Sequence, residues 1–264
     1  MVKLGFCTNL LSSKSDITGS GYLEIGKEAG FDYVELPLAQ LTELSASTFK
    51  LLQATLTDLD LGCESCNNFF PPNIKLTGND ANLSAIRSYL TRALARASAL
   101  GVEVIVLGSP RSKNIPEGFP RSVAESQFAD ALEVISSMVE GLGITVVLEP
   151  LAMEESNFLT SAIQVLPLLE KLNKPNIALL IDFYHMTKEG EKPEVIVKAA
   201  DHLRHVHFSD PNGRKYPVKH RKDFDRFFTN LKSIGYNQRI SVEAFTNNFA
   251  VDSKLAVETL MNLI

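Results

Sequence analysis

The 264-residue sequence contains no apolar stretch near the roughly 20 residues that a membrane-spanning helix needs, so no membrane partner is expected. It also lacks any basic run of five or more residues. The densest cluster is Lys219-His220-Arg221-Lys222, and the formal net charge is −5. A protein that binds phosphate backbones carries a basic stripe, so nucleic acid is not an expected partner either. Cysteine is scarce: there are three, which cannot all pair, and this suits a reducing compartment better than a disulfide scaffold. Cys63 and Cys66 form a C-x-x-C, but no second pair or nearby histidine completes a structural zinc site. The expectation is two buried thiols at the end of a strand. The stretch Met1–Cys7 turns polar by Ser12, too soon for the apolar part of a signal peptide, which leaves a cytoplasmic location as the default. No linker, low-complexity segment or shift of composition divides the chain, so a single domain is expected over residues 1–264.

What is present is a repeating unit. An amphipathic helical stretch ends in glycine and a short β-branched run follows, as in Leu100-Gly101-Val-Glu-Val-Ile-Val-Leu107 and Leu142-Gly143-Ile-Thr-Val-Val-Leu-Glu149. Glycine suits the left-handed position that stops a helix, and the Val/Ile run suits a strand covered on both faces. Strands are expected at Lys3–Thr8, Asp32–Leu36, Asp60–Cys66, Glu103–Gly108, Thr145–Glu149, Ala178–Asp182, His205–Phe208 and Ile240–Glu243. The clearest helices are Leu83–Leu100, Ser122–Leu142, Ser161–Leu172, Phe224–Ile234 and Asp252–Leu263. Strict alternation implies parallel strands with helical crossovers, and eight units at this length imply an α/β fold of the (β/α)8 TIM-barrel type. Two long polar connections, Asn67–Asp80 and Ser109–Arg121, leave the carboxyl ends of strands, where loops usually cover a site.

Four consecutive strands end in ionisable residues: Glu149, Asp182, His207 and Glu243. Side chains alternate along a strand, and the parity turns all four into the barrel mouth. Three carboxylates converging there repel one another, a conflict that a divalent cation removes. Oxygen-rich donors with one nitrogen suit Mn²⁺, Mg²⁺ or Co²⁺, and Zn²⁺ is compatible. The alternative for each residue singly is a helix cap or a salt bridge. Asn67, Asn68 and Ser109 are polar loop residues that could equally contact a substrate or solvent, Phe69, Phe70 and Cys7 are pocket or core, and His205 is expected to be structural or to orient His207.

In context, Val-Val-Leu-Glu149-Pro-Leu, Leu-Leu-Ile-Asp182-Phe-Tyr-His185-Met, His205-Val-His207-Phe-Ser-Asp-Pro and Ile-Ser-Val-Glu243-Ala-Phe resemble the xylose isomerase-like barrel superfamily. Within it, the chain resembles the sugar (phosphate) isomerase/epimerase group, ketose 3-epimerases included. The resemblance implies metal ligands at Glu149, Asp182, His207 and Glu243; the chemistry of two carboxylates across a substrate makes Glu149 and Glu243 the expected acid/base pair as well. The resemblance also implies substrate contacts at Glu155, His185 and Arg214. Departures from the family lie at Ala152-Met153-Glu154, where Asn-Arg-Tyr is common, and at Arg214, one residue further from its histidine than in ketose epimerases.

The implied activity is metal-dependent epimerisation or isomerisation of a sugar or sugar phosphate, by proton transfer next to a carbonyl through an enediolate. A hydroxypyruvate-type isomerase and an inosose-type dehydratase stay open. A metal-dependent abasic-site endonuclease needs extra histidines on the early strands, and Asn67-Asn68 and Gly108-Ser109 supply none. A non-catalytic sugar-binding barrel has no need of paired carboxylates. Which sugar, whether Arg214, Lys215 or Lys219 holds a phosphate, and whether the chain forms a homo-oligomer are left open.

Overall fold

The computed structural model describes residues 1–264. Its eight strands are β1 (Lys3–Cys7), β2 (Tyr33–Pro37), β3 (Gly62–Asn67), β4 (Val104–Leu107), β5 (Thr145–Leu148), β6 (Ile177–Asp182), β7 (Leu203–Phe208) and β8 (Arg239–Val242). All pair in parallel in chain order, and β8 closes on β1. The helices between them are α1 (Leu23–Ala29), α2 (Leu38–Glu43), α3 (Ala46–Asp58), α4 (Leu83–Ala99), α5 (Pro110–Lys113) and α6 (Arg121–Val139). They continue as α7 (Ala162–Leu172), α8 (Phe183–Lys188), α9 (Val195–Lys198), α10 (Lys222–Ser233) and α11 (Phe249–Met261). This is the (β/α)8 barrel that the alternation implies, with the strand bounds moved by one or two residues. No helix is long and apolar enough to cross a membrane.

Local chemistry sets the boundaries. Gly30 ends α1 at φ 100°, a left-handed conformation that a Cβ disfavours. Asn82 caps α4 by accepting from the backbone N–H groups of Ser84 and Ala85. The outward strand residues, such as Phe6, Ile105, Val146, Ile181 and Val242, join the helices in one core of 66 buried residues. The barrel interior is divided. On the β4–β6 side it is filled by Val104, Val106, Val147, Ala178 and Leu180. On the β7–β8–β2 side it is polar, with Tyr33, Glu35, His205 and Ser241 all fully buried.

The floor at the amino ends of the strands is closed by ions. Glu64 accepts from Lys3 at 2.5 Å and from Arg239 Nε at 2.6 Å, and Arg239 also reaches Glu103 at 2.8 Å. The two long loops above β3 and β4 are stitched together. The Phe70 N–H donates to Ser109 Oγ (3.0 Å), and the Leu76 N–H donates to the Ser112 carbonyl (2.9 Å). Phe69 and Phe70 therefore belong to the outer core, and the Ser109 hydroxyl serves the loop. Cys63 and Cys66 are buried free thiols 3.9 Å apart on β3.

Candidate active site

The strand ends bring Glu149, Asp182, His207 and Glu243 together. One ligating atom from each lies within 4.8 Å of all the others, and all four residues are buried. Glu149 and Glu243 stand one residue beyond β5 and β8, and the alternation carries each into the mouth. Glycine at 108, one residue past β4, makes room: a Cβ there would overlap the Glu149 carboxylate.

Each member has its own surroundings. Asp182 Oδ1 accepts from the Tyr184 N–H (2.7 Å) and so caps α8, while Oδ2 has no hydrogen-bond partner despite full burial. The helix cap and the candidate metal ligand are thus two oxygens of one carboxylate. Glu243 accepts from Asn9 Nδ2 (2.6 Å) and from Arg214 Nη2 (2.5 Å). Burial raises a carboxyl pKa, but Arg214 and His207 outweigh it and hold Glu243 below the usual carboxylate range. Burial prevails at Glu149 and pushes it up, although His207 opposes the shift. His207 Nδ1 lies 3.2 Å from Glu149 Oε1 and 3.3 Å from Glu243 Oε2. Burial disfavours its charge, yet Glu35 and further negative groups hold the imidazole pKa well above its ordinary value.

The residues implied for substrate contact frame this cluster. Arg214 Nη1 donates to Glu155 Oε1 at 3.1 Å, and Nη2 lies 3.7 Å from Asp182 Oδ2. Its backbone sits at φ 51°, a left-handed state that costs a non-glycine residue on the order of 1–3 kcal/mol. The ion pairs of the guanidinium offset that strain. His185 Nδ1 accepts from the Ala152 N–H at 3.1 Å, and its Nε2 lies 3.4 Å from Arg214 Nη2 and 3.7 Å from Asp182 Oδ2. Lys215 and Lys219 are exposed.

Three polar neighbours of the cluster were not singled out by the sequence. Glu35, at zero exposure on β2, accepts from His207 Nε2 (2.8 Å), His205 Nε2 (2.8 Å) and Ser241 Oγ (2.7 Å). His205 does not itself bond His207; both share Glu35. The Lys113 ammonium is buried at the carboxyl end of β5 and donates to the Glu149 carbonyl at 2.7 Å. Burial pushes its pKa down to about 8, with Glu149 and Glu155 opposing. Asn9 follows β1 and reaches Glu243. Asn67 is buried with neither amide atom partnered. Asn67 differs from the other three in having carried a signal, as a polar strand-end residue.

The donor set fits a divalent cation. The carboxylates of Glu35, Glu149, Glu155, Asp182 and Glu243 outnumber the cationic groups among them, Arg214, Lys113 and His207. Oδ2 of Asp182 is orphaned at the centre of the excess. Oxygen donors with one imidazole suit Mn²⁺, Mg²⁺ or Co²⁺.

Comparison with known proteins agrees with this architecture. A sequence profile described as the xylose isomerase-like TIM barrel matches residues 23–263. A ketose 3-epimerase of Arthrobacter globiformis is 30% identical over 225 residues, which cover 84% of this chain and 76% of that protein. An L-ribulose 3-epimerase of Methylomonas sp. (strain DH-1) is 27% identical over 232 residues, covering 86% and 78%. The crystal structure of a D-allulose 3-epimerase from Methylomonas sp. shares the fold, with a TM-score of 0.86 at 22% identity over 100% of this chain and 98% of that one. With matches of this extent, the chain belongs to the xylose isomerase-like TIM barrel family and, beside ketose 3-epimerases, to its isomerase-class enzymes.

Proposed function

We propose that the protein is a divalent-metal-dependent ketose 3-epimerase, acting on a free or phosphorylated sugar by moving the proton next to the carbonyl. The observation that carries this reading is the meeting of Glu149, Asp182, His207 and Glu243 within 4.8 Å, with one carboxylate oxygen left unpartnered. These four residues hold the cation. When bound, a Mn²⁺, Mg²⁺ or Co²⁺ ion supplies Lewis-acid stabilisation of negative charge developing on the substrate oxygens.

The remaining work falls to the protein. Glu149 and Glu243 form the acid/base pair: one, ionised, takes the proton from C3 while the other, protonated, delivers its own proton to the opposite face, so that the two exchange protonation states. Arg214 holds Glu243 from one side and Asn9 from the other, which fixes the aim of that carboxylate. His185, seated beside Arg214 and Asp182, contacts a substrate oxygen, and Glu155, anchored by Arg214, binds one end of the sugar. Buried walls exclude water from the proton in transit. The free buried thiols fit a cytoplasmic, reducing setting.

A panel of three- to six-carbon ketoses, free and phosphorylated, tests the reading in D₂O with Mn²⁺. Deuterium should enter C3 of one sugar as its epimer forms, and Glu243→Gln should abolish the exchange. Deuterium at a neighbouring carbon with an aldose product would make the enzyme an aldose–ketose isomerase. Exchange that survives Glu243→Gln would remove Glu243 from the acid/base pair.

A further inference from the structure

We infer that Glu35 is a positioning residue: its carboxylate orients His207 and places a proton on Nε2, so that Nδ1 faces the rim carboxylates. The inference rests on the cation-site reading above. A carboxylate accepts and never donates when ionised, so every group bonded to Glu35 must bring a hydrogen. His207 Nε2 meets Oε1 at 2.8 Å, while His205 Nε2 and Ser241 Oγ meet Oε2 at 2.8 and 2.7 Å. The single hydroxyl hydrogen of Ser241 is thereby spent. Tyr33 OH, 2.7 Å from Ser241 Oγ, must then donate to it. The chain of donors runs one way and ends on Glu35.

For His207 the consequence is specific. With Nε2–H committed to Glu35, Nδ1 is the atom left 3.2 and 3.3 Å from Glu149 and Glu243. An imidazole of the opposite tautomer would present N–H to those carboxylates and could not ligate. Cys7, 3.9 Å from Nε2, is too weak a partner to choose between them. The geometry also accounts for the divided interior. An ionised carboxylate buried without donors costs several kcal/mol, so the β7–β8–β2 side carries polar side chains where the β4–β6 side carries valine and leucine.

The test combines ¹⁵N-histidine NMR of the metal-free wild type with Mn²⁺ affinities of wild type and Glu35→Gln. A hydrogen-bonded proton on His207 Nε2 is expected, along with a loss of Mn²⁺ affinity of about 10- to 100-fold in E35Q. A bare His207 Nε2 in the wild type, or wild-type Mn²⁺ affinity in a folded E35Q, would overturn the inference. Should the wild type bind no Mn²⁺, the cation-site reading fails by itself, and the NMR spectrum still decides whether Glu35 orients His207. If E35Q does not fold, the same wild-type spectrum decides.

Discussion

A single carboxylate at Asp182 serves two purposes, capping α8 with one oxygen and leaving the other bare. Local and tertiary roles of this kind are read from sequence as alternatives, yet here they coexist. Asn67 makes the complementary case, a buried amide with no partner for either atom. An unsatisfied buried amide persists where a ligand completes it. Replacing Asn67 with Leu should raise KM for the ketose about tenfold, the worth of one neutral hydrogen bond, and leave Mn²⁺ affinity unchanged. Unchanged KM would show that the amide does not bind substrate. Glu149, Asp182, His207 and Glu243 were legible because alternation alone turns a strand-end side chain into the mouth. Glu35 was not, since Tyr-Val-Glu-Leu-Pro reads like any strand and its histidine partners stand 170 and 172 residues away. Lys113 was hidden by Ser-Pro-Arg-Ser-Lys, which reads as a solvated loop until the neighbouring loop packs over it.

At the level of elements, the strand and helix order was legible from glycine-stopped helices followed by β-branched runs. The short helices α2, α5, α8 and α9 were less so, because four to six residues are too few to carry a long apolar stripe. The end of β4 shows how an element serves the site. Gly108 has an ordinary negative-φ backbone, so space rather than conformation demands glycine: its missing Cβ is where the Glu149 carboxylate sits. Gly108→Ala should therefore displace Glu149 and weaken Mn²⁺ binding at least tenfold, as misplaced ligands do. The circular dichroism of the barrel should stay unchanged. Wild-type Mn²⁺ affinity in G108A would show that Glu149 needs no such clearance.

Across the whole molecule, the candidate site and the ionic floor occupy opposite ends of the barrel. The floor is held by Lys3, Glu64, Arg239 and Glu103, remote from the mouth. Partial burial would raise the Glu64 carboxyl, but hydrogen bonds and charge from Lys3 and Arg239 outweigh it and set its folded pKa below the usual value. A carboxyl with a lowered folded pKa adds stability above its unfolded pKa, near 4.3, and loses it as pH falls through the folded value. Glu64→Gln should thus destabilise the protein by about 1–2 kcal/mol at pH 7, with the difference from wild type shrinking below about pH 4. Urea unfolding at a series of pH values measures it, and a difference that stays constant with pH would deny the ion pairs their role. Turnover at neutral pH should be untouched, because the floor and the mouth share no side chain.

The mouth itself rests on one claim, that its acids are gathered to hold a cation. Equilibrium dialysis of the purified protein against Mn²⁺ tests this most directly, beside Asp182→Asn, in which the bare oxygen is lost as an anionic ligand. One tightly bound ion per wild-type chain, weakened at least a hundredfold in D182N, is the expected result. A wild-type protein that takes up no ion, or a D182N variant that binds it equally well, would contradict the account.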